Sequence, residues 1–238
     1  MSTHDKTALI IGGGIAGSSL AYQLAKRNYQ VTLLDENNQD EIEIFKSKAA
    51  TISPHFMMNN PKYNSLMSKA SKYAYDLTRK FNYSKKYAVM EGVIKLYEKD
   101  MADRLIEKIL SIGLEKTSFK YLSKDFIKKK YDIDDKAGIF FKYGGWVSPH
   151  KFCSALIKHK NIKFIPKRKV KEIAYRKKLW VIYCQDSNEF VASNLVFCNS
   201  FALNETKLFN GIDLKKNRGQ INWLPSKNIS EHKEIISD

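Results

Sequence analysis

Three glycines near the amino terminus have the spacing that a phosphate-binding turn requires. Gly12, Gly14 and Gly17 form the pattern G-x-G-x-x-G between an apolar run at residues 8–11 and a helical pattern that ends at Asn28. The first glycine permits a sharp turn out of a strand, the second lets a phosphate approach the backbone, and the third lets the helix lie close to the sheet. The amino end of the helix offers N–H groups and a positive dipole end to a diphosphate. The spacing therefore predicts a diphosphate site at this turn.

An acidic residue follows the second predicted strand. Residues 31–34 form another buried apolar run, and Asp35 comes directly after it, at about the distance of 20 residues from the glycines that the motif requires. A carboxylate can accept hydrogen bonds from ribose hydroxyls, and Glu36 is a neighbouring candidate. It also disfavours a 2′-phosphate, so these residues favour FAD or NAD over NADP, and both of the favoured cofactors remain open.

Hydrophobic periodicity predicts the elements that would position these residues. Helices are expected at 63–81, 99–112, 123–131 and 150–159, and strands at 87–97, 139–141, 162–166, 179–184, 190–192, 194–198 and 218–224. A β-α-β unit, a mixed insert and returning strands predict an α/β protein, with a Rossmann-like nucleotide-binding domain and an inserted α+β lobe. We assign residues 1–60 and 140–215 to the nucleotide-binding domain, and residues 61–139 and 216–238 to the lobe.

Composition excludes several classes of protein. Of the 238 residues, 43% are hydrophobic and 12% aromatic, which is typical of a folded globular chain and not of a disordered one. No apolar run approaches the ~20 residues that a membrane span needs. Three scattered cysteines lack the spacing of a metal site, so we expect no metal and a reducing, cytoplasmic location.

The formal net charge of +16 permits two interpretations. A strongly positive surface attracts polyanions and favours binding to a phosphate backbone. Nearly all of the basic residues are lysines, however, and the chain is also rich in Asn and Ile, so a codon bias could raise the lysine content without any role in binding. The charge by itself does not decide between these interpretations.

Three blocks of the sequence resemble the D-amino-acid-oxidase-like (DAO) family of FAD-dependent oxidoreductases. They are IIGGGIAGSSLAYQLAKRNYQVTLLD at residues 10–35, AGIFFKYGGWVSPHKFCSALI at 137–157 and NRGQINWLP at 217–225. The first block is common to many flavoproteins, whereas the second is more specific. The second block is similar to a subfamily that modifies the wobble uridine of tRNA. The family fold normally continues for roughly another hundred residues, so the resemblance implies an incomplete, DAO-like fold here.

The resemblance implies a set of site residues around FAD. The diphosphate would lie against Gly12, Gly13, Gly14, Ile15, Ala16 and Gly17, the ribose beside Asp35 and Glu36, and the adenine beside the backbone of Val170. On the substrate side the family pattern matches Gly145, Trp146, Arg218 and Gln220. No catalytic acid or base is implied, because oxidation of an amine by a flavin does not require one.

The resemblance also implies a reaction and partners. Members of the subfamily oxidatively remove the carboxymethyl group from a 5-carboxymethylaminomethyl-uridine, or its 2-thio form, in the anticodon loop of tRNA and leave the 5-aminomethyl form. A separate methyltransferase could then act on the product. Two alternatives stay open: an oxidase of small amines or amino acids with the same fold, and a truncated remnant without catalytic activity.

Overall fold

The computed structural model describes residues 6–38, 47–57, 59–81, 87–112, 114–205, 212, 214–215 and 235–237. The chain forms two compact units, of which unit 1 comprises Met1–Lys48 and Ser148–Trp223, and unit 2 comprises Ala49–Val147 and Leu224–Asp238. The predicted boundaries of the nucleotide-binding domain and the lobe stay a prediction. The expected strand at 218–224 and the third resembling block at 217–225 lie outside the described residues.

The described part of the chain contains five α-helices and fourteen strands. The helices are α1 (Ile15–Ala25), α2 (Pro61–Phe81), α3 (Lys99–Ser111), α4 (Lys124–Tyr131) and α5 (Pro149–Leu156). The strands are β1 (Thr7–Ile11), β2 (Gln30–Leu34), β3 (Ala50–Ile52), β4 (Ala88–Val89), β5 (Val93–Tyr97), β6 (Phe119–Leu122), β7 (Ala137–Phe141), β8 (Gly145–Val147), β9 (Ile162–Ile165), β10 (Val170–Arg176), β11 (Leu179–Cys184), β12 (Glu189–Ala192), β13 (Asn194–Phe197) and β14 (Ile235–Ser237). No described helix is long and apolar enough to cross a membrane.

Unit 1 contains a parallel sheet with the strand order β13-β1-β2-β9. Strand β1 is apolar and buried from Ala8 to Ile11, as expected of a parallel strand with both faces covered. Ala8 and Ile10 belong to a core that includes Ala21 and Ala25 of α1. Leu9 and Ile11 belong to a second core on the other face, together with residues of β11 and β12. The alternation of parallel strands with packed helices agrees with the predicted α/β class.

A second, antiparallel sheet in unit 1 has the order β10-β11-β12. The sequence predicts the strands at 179–184 and 190–192, which correspond to β11 and β12, but no strand at 170–176. The structure instead extends β10 from Val170 to Arg176. Half-buried Val170 and Ile173 pack on the core shared with β1, so tertiary contacts stabilise a strand whose exposed positions are charged.

Unit 2 is built around the mixed sheet β14-β5-β7-β6. Residues on one face form a core with Leu105 and Ile109 of α3. Residues on the other face form a core with Ile127 and Tyr131 of α4. This combination of mixed sheet and helices is the α+β arrangement predicted for the lobe.

A small antiparallel sheet, β3-β8-β4, completes unit 2. The sequence predicts no strand at 145–147, yet Gly145 begins β8. A Cβ at Gly145 would lie 2.1 Å from the carbonyl oxygen of Val89, so the glycine allows the neighbouring strand to approach closely. The predicted strand at 87–97 is divided into β4 and β5 at Gly92, whose φ of +105° suits a glycine.

Candidate dinucleotide site

The glycine turn lies where the carboxyl ends of β1, β2 and β13 meet. Gly12 has a φ of +106°, and a Cβ on it would lie 2.4 Å from the carbonyl oxygen of Cys198. Its N–H donates to the carbonyl of Leu34 at 2.8 Å, while Cys198 N–H donates to the carbonyl of Ile11 at 2.7 Å. Both the backbone conformation and the lack of space therefore require glycine at position 12. Clefts at this edge of a parallel sheet are where ligands bind in open α/β folds.

The other two glycines of the motif have opposite surroundings. A Cβ at Gly17 would lie 1.8 Å from the carbonyl oxygen of Gly12, so α1 lies directly against the turn. A Cβ at Gly14 would meet no atom within 4 Å. Gly17 is thus required by packing inside the protein. The space in front of Gly14 is open, as a ligand that approaches this backbone would need.

The amino end of α1 is accessible and carries no negative side chain. Ile15 and Ala16 are exposed, whereas Gly17 and Ser18 are buried. The N-cap residue Gly14 makes no side-chain cap hydrogen bond, and the first turn contains no acidic residue. An anion at this position would therefore meet the positive end of the helix without repulsion from a carboxylate in that turn.

The Asp35 carboxylate is held in place beside the glycine turn. The N–H of Gly13 donates to Oδ2 of Asp35 at 2.7 Å, and the N–H of Asn37 donates to Oδ1 at 2.9 Å. Asp35 is only 9% exposed. An ionised carboxylate offers about four acceptor positions. These two bonds orient the group and leave acceptor positions for hydroxyl donors of a ligand.

The segment at residues 167–170 lies next to Asp35 and Glu36. The N–H of Arg168 donates to the carbonyl of Asp35 at 2.8 Å. Lys169 Nζ lies 3.4 Å from Glu36 Oε2 in a half-exposed ion pair. Val170 follows directly and begins β10. The structure therefore brings Val170 to the same edge of unit 1 as the glycine turn, Asp35 and Glu36, although Val170 is more than 130 residues away from them in sequence.

Three residues near the turn were not predicted as site residues. Ser18 is buried, and its Oγ donates to the carbonyl of Gly13 at 2.8 Å, which fixes the turn from inside. Asn199 follows β13, and its buried side-chain oxygen has no hydrogen-bond partner among the described residues. Arg168 pairs with Asp186 at 3.0 Å. A polar residue in the first turn of the helix, or shortly after a strand with an apolar sequence, was the available signal for Ser18 and Asn199.

The predicted substrate-side residues are placed only in part. Gly145 and Trp146 lie in unit 2 on β8, where Trp146 pairs in register with Thr51 of β3 and Val89 of β4. The Trp146 side chain is half-buried. Arg218 and Gln220 lie outside the described residues. The substrate role of all four residues stays a prediction.

The thiols of the chain are in their protonated form at neutral pH. Burial raises the pKa of Cys198, beside the glycine turn, and raises that of Cys153 under α1 to about 12. Neither group is therefore a thiolate nucleophile. Within the described ranges, no group of three or more His, Cys, Asp or Glu side chains could hold a metal ion.

Comparison with known proteins connects this geometry to a family. The family model described as "FAD dependent oxidoreductase" (DAO) matches residues 7–235. The chain is similar to the tRNA 5-methylaminomethyl-2-thiouridine biosynthesis bifunctional protein of Legionella pneumophila, with 26% identity over 99% of the chain and 35% of the relative. It is 27% identical to the protein of the same name in Leptospira interrogans, over 91% of the chain and 34% of the relative. The chain thus spans about a third of the length of these relatives.

Solved structures share the fold. Glycine oxidase from Geobacillus kaustophilus matches with a TM-score of 0.62 and 19% identity, over 81% of this chain and 55% of that one. L-Proline dehydrogenase from P. horikoshii matches with a TM-score of 0.65 and 16% identity, over 89% of this chain and 57% of that one. These likenesses confirm the predicted fold class, a Rossmann-like unit with an α+β lobe.

Proposed function

The chain belongs to the DAO family of FAD dependent oxidoreductases, and we propose that it acts in the modification of the wobble uridine of tRNA. Its reaction is the oxidative removal of the carboxymethyl group from 5-carboxymethylaminomethyl-uridine or its 2-thio form, which leaves the 5-aminomethyl form. The single observation that carries this proposal is the similarity over 91–99% of the chain to relatives named for tRNA 5-methylaminomethyl-2-thiouridine biosynthesis.

The described residues of unit 1 fit the adenine dinucleotide part of FAD. The diphosphate would bind at the open backbone of Gly14 and the exposed first turn at Ile15 and Ala16, inside the frame that Gly12, Gly13 and Gly17 form. The ribose would donate hydrogen bonds to Asp35, whose carboxylate is already oriented by two backbone N–H groups. Val170 would contact the adenine, and Glu36, tied to Lys169, would line the same edge.

Bound FAD would accept the hydride that leaves the carboxymethyl carbon next to the secondary amine, and water would hydrolyse the resulting imine to the primary amine and glyoxylate. The contribution of this chain is to hold the cofactor and to orient the nucleoside. We assign Gly145, Trp146, Arg218 and Gln220 to the substrate side, with no catalytic acid or base. A single-stranded anticodon loop suits this reaction because its bases can be splayed out toward a reactive centre.

The strongly basic composition supports tRNA as the partner. A net charge of +16 favours contact with a phosphate backbone. A methyltransferase would act on the primary amine that the reaction produces, and the word "bifunctional" in the names of the relatives is consistent with two linked activities in those proteins. We expect the reaction to take place in the cytoplasm.

The nucleosides of tRNA test this proposal directly. Deletion of the gene should cause 5-carboxymethylaminomethyl-uridine, or its 2-thio form, to accumulate in tRNA digests analysed by mass spectrometry, at the expense of the aminomethyl and methylaminomethyl forms. The purified chain with FAD should convert this nucleoside in tRNA from the deletion strain. Unchanged nucleosides, combined with release of hydrogen peroxide from glycine or sarcosine, would instead identify a small-molecule amine oxidase. Absence of both activities and of flavin absorbance would identify a remnant without catalytic activity.

A further inference from the structure

The turn between β10 and β11 has an unusual sequence for its backbone. Strand β10 ends at Arg176 and β11 begins at Leu179, so Lys177 and Lys178 alone form the turn. Their φ angles are +51° and +65°. A two-residue hairpin turn with both φ angles positive strongly favours Asn-Gly, because the Cβ of most residues comes too close to the following carbonyl oxygen in this conformation, which glycine avoids and asparagine tolerates. Two lysines therefore occupy positions where folding would favour other residues.

An exposed aromatic ring stands directly beside this turn. Tyr175 is 58% exposed, although tyrosine normally has much of its ring buried. It pairs across the hairpin with Trp180, and the two ring centroids lie 4.8 Å apart at an angle of 50°. Trp180 is half-buried and packs on the core of unit 1. The core therefore supports Trp180, and Trp180 supports an aromatic ring that faces solvent.

The same hairpin tip carries uncompensated positive charge. Arg176, Lys177 and Lys178 are all exposed, and no Asp or Glu occurs between Ile173 and Cys184. Among the described residues, none of these three cations forms an ion pair. Several lysines of unit 2 are, in contrast, paired with carboxylates, such as Lys124 with Asp135 at 2.6 Å.

We propose that residues 175–180, the basic hairpin tip, form an RNA-binding element that contacts phosphates through its cations and stacks a base on Tyr175. This inference rests on the proposed function and names the surface that tRNA uses. Aromatic side chains beside basic residues are the usual means of holding unpaired nucleotides. The tip lies about 20 Å from Val170 along β10, at ~3.3 Å per residue. It would therefore contact the RNA away from the proposed adenine contact at Val170.

Replacing Lys177 and Lys178 distinguishes an effect on tRNA binding from an effect on stability, because we expect the affinity to fall and the stability to rise. The double variant Lys177→Asn with Lys178→Gly installs the residues that the backbone favours and removes two charges. Its Tm should rise by about 3 °C. Its affinity for tRNA should fall, and the slope of log Kd against log salt concentration should become shallower by about two. Fluorescence anisotropy with the full chain and unmodified tRNA measures the Kd and its dependence on salt.

A second pair of variants tests the stacking ring. Tyr175→Ala should weaken binding of an anticodon stem-loop by roughly tenfold, whereas Tyr175→Phe should bind almost as well as the native chain. A fully base-paired RNA of the same length should show little difference between these variants, because paired bases cannot stack on the ring.

The matched control is Lys124→Gln with Lys128→Gln, which removes two ion-paired lysines from unit 2 and changes the net charge equally. Its salt slope should equal that of the native chain. An equal loss of affinity in the control, or an unchanged slope in the turn variant, would overturn the proposal. Binding of anionic phospholipid vesicles, but not RNA, at the hairpin tip would also overturn it. The turn variant could bind RNA as tightly as the native chain while cells that carry it still contain the correct tRNA nucleosides. In that case the hairpin proposal fails and the proposed function stands.

Discussion

The backbone N–H of Gly13 donates a hydrogen bond of 2.7 Å to Oδ2 of Asp35. This contact joins the middle of the glycine turn to the acid that follows β2, so the two halves of the dinucleotide motif form one structural unit. A hydrogen bond to a charged group contributes about 1.5–3 kcal/mol to stability. The carboxylate therefore serves the fold as well as its proposed ribose contact.

Replacement of Asp35 by Asn should reduce both stability and FAD affinity. The amide has one acceptor oxygen in place of two, so the N–H of Gly13 or that of Asn37 would lose its partner. We expect a loss of about 1–3 kcal/mol in the free energy of unfolding and roughly tenfold weaker FAD binding. Urea denaturation and flavin fluorescence titration measure the two quantities.

Glu36→Gln is the matched control for this prediction. Glu36 is half-exposed, and its contact with Lys169 is an ion pair of 3.4 Å at the surface, which contributes little to stability. We expect less than about 0.5 kcal/mol of change in stability. If Asp35→Asn and Glu36→Gln change the free energy of unfolding equally, the two hydrogen bonds that Asp35 accepts do not stabilise the fold.

Alanine at Gly14 and at Gly17 should affect different properties. Gly17→Ala places a Cβ 1.8 Å from a backbone oxygen, and we expect a loss of about 3 kcal/mol in stability. Gly14→Ala meets no atom within 4 Å and should fold with nearly native Tm. Its Cβ would occupy the open space in front of the turn and weaken FAD binding. A Gly14→Ala chain that binds FAD normally would show that the diphosphate lies elsewhere.

Stability should decrease as pH rises above about 9. Burial raises the pKa of Cys153 from 9.0 to about 12 and that of Tyr97 from 10.0 to about 12. Each group keeps its proton in the folded chain at pH values where the unfolded chain has already lost it. Its contribution to folding stability is therefore complete below its pKa in the unfolded chain and disappears toward pH 12. The free energy of unfolding should fall by about 1.4 kcal/mol per pH unit for each such group.

Urea denaturation at about pH 8 and about pH 10.5 measures this pH dependence. Cys153→Ala and Tyr97→Phe should each make the decrease less steep. If the free energy of unfolding falls with pH as steeply in both variants as in the native chain, other groups cause the loss of stability at alkaline pH.

Gly145 and Trp146 are adjacent, yet their substitution should have different effects. Gly145→Ala places a Cβ 2.1 Å from the carbonyl of Val89 and should destabilise the sheet β3-β8-β4 by about 2–3 kcal/mol. Trp146→Phe keeps an aromatic ring and should lower Tm only slightly. If Trp146 contacts the nucleoside, this variant should raise the KM for tRNA while the Kd for FAD stays native. An unchanged KM would assign Trp146 to packing alone.

Local sequence was sufficient for the elements that carry their own signal. The G-x-G-x-x-G turn, α1 and the buried strands β1 and β2 were predicted because glycine conformation and hydrophobic periodicity act over a few residues. Ser123 was predicted at the start of its helix, and its side chain accepts a hydrogen bond from Phe126 N–H in the N-cap position. The hairpin of β11 and β12 was predicted from alternation around a polar turn.

Long-range contacts decided the rest. Local sequence missed five strands, β3, β6, β8, β10 and β14, because short or charged strands become stable only when a partner strand and a core are present. The motif predicts different roles for Gly14 and Gly17, but only the fold shows which backbone atoms surround each Cα. Spacing along the chain therefore determined the dinucleotide motif, whereas only the fold could place Ser18, Arg168 and Asn199 around it, because residues distant in sequence become neighbours through packing.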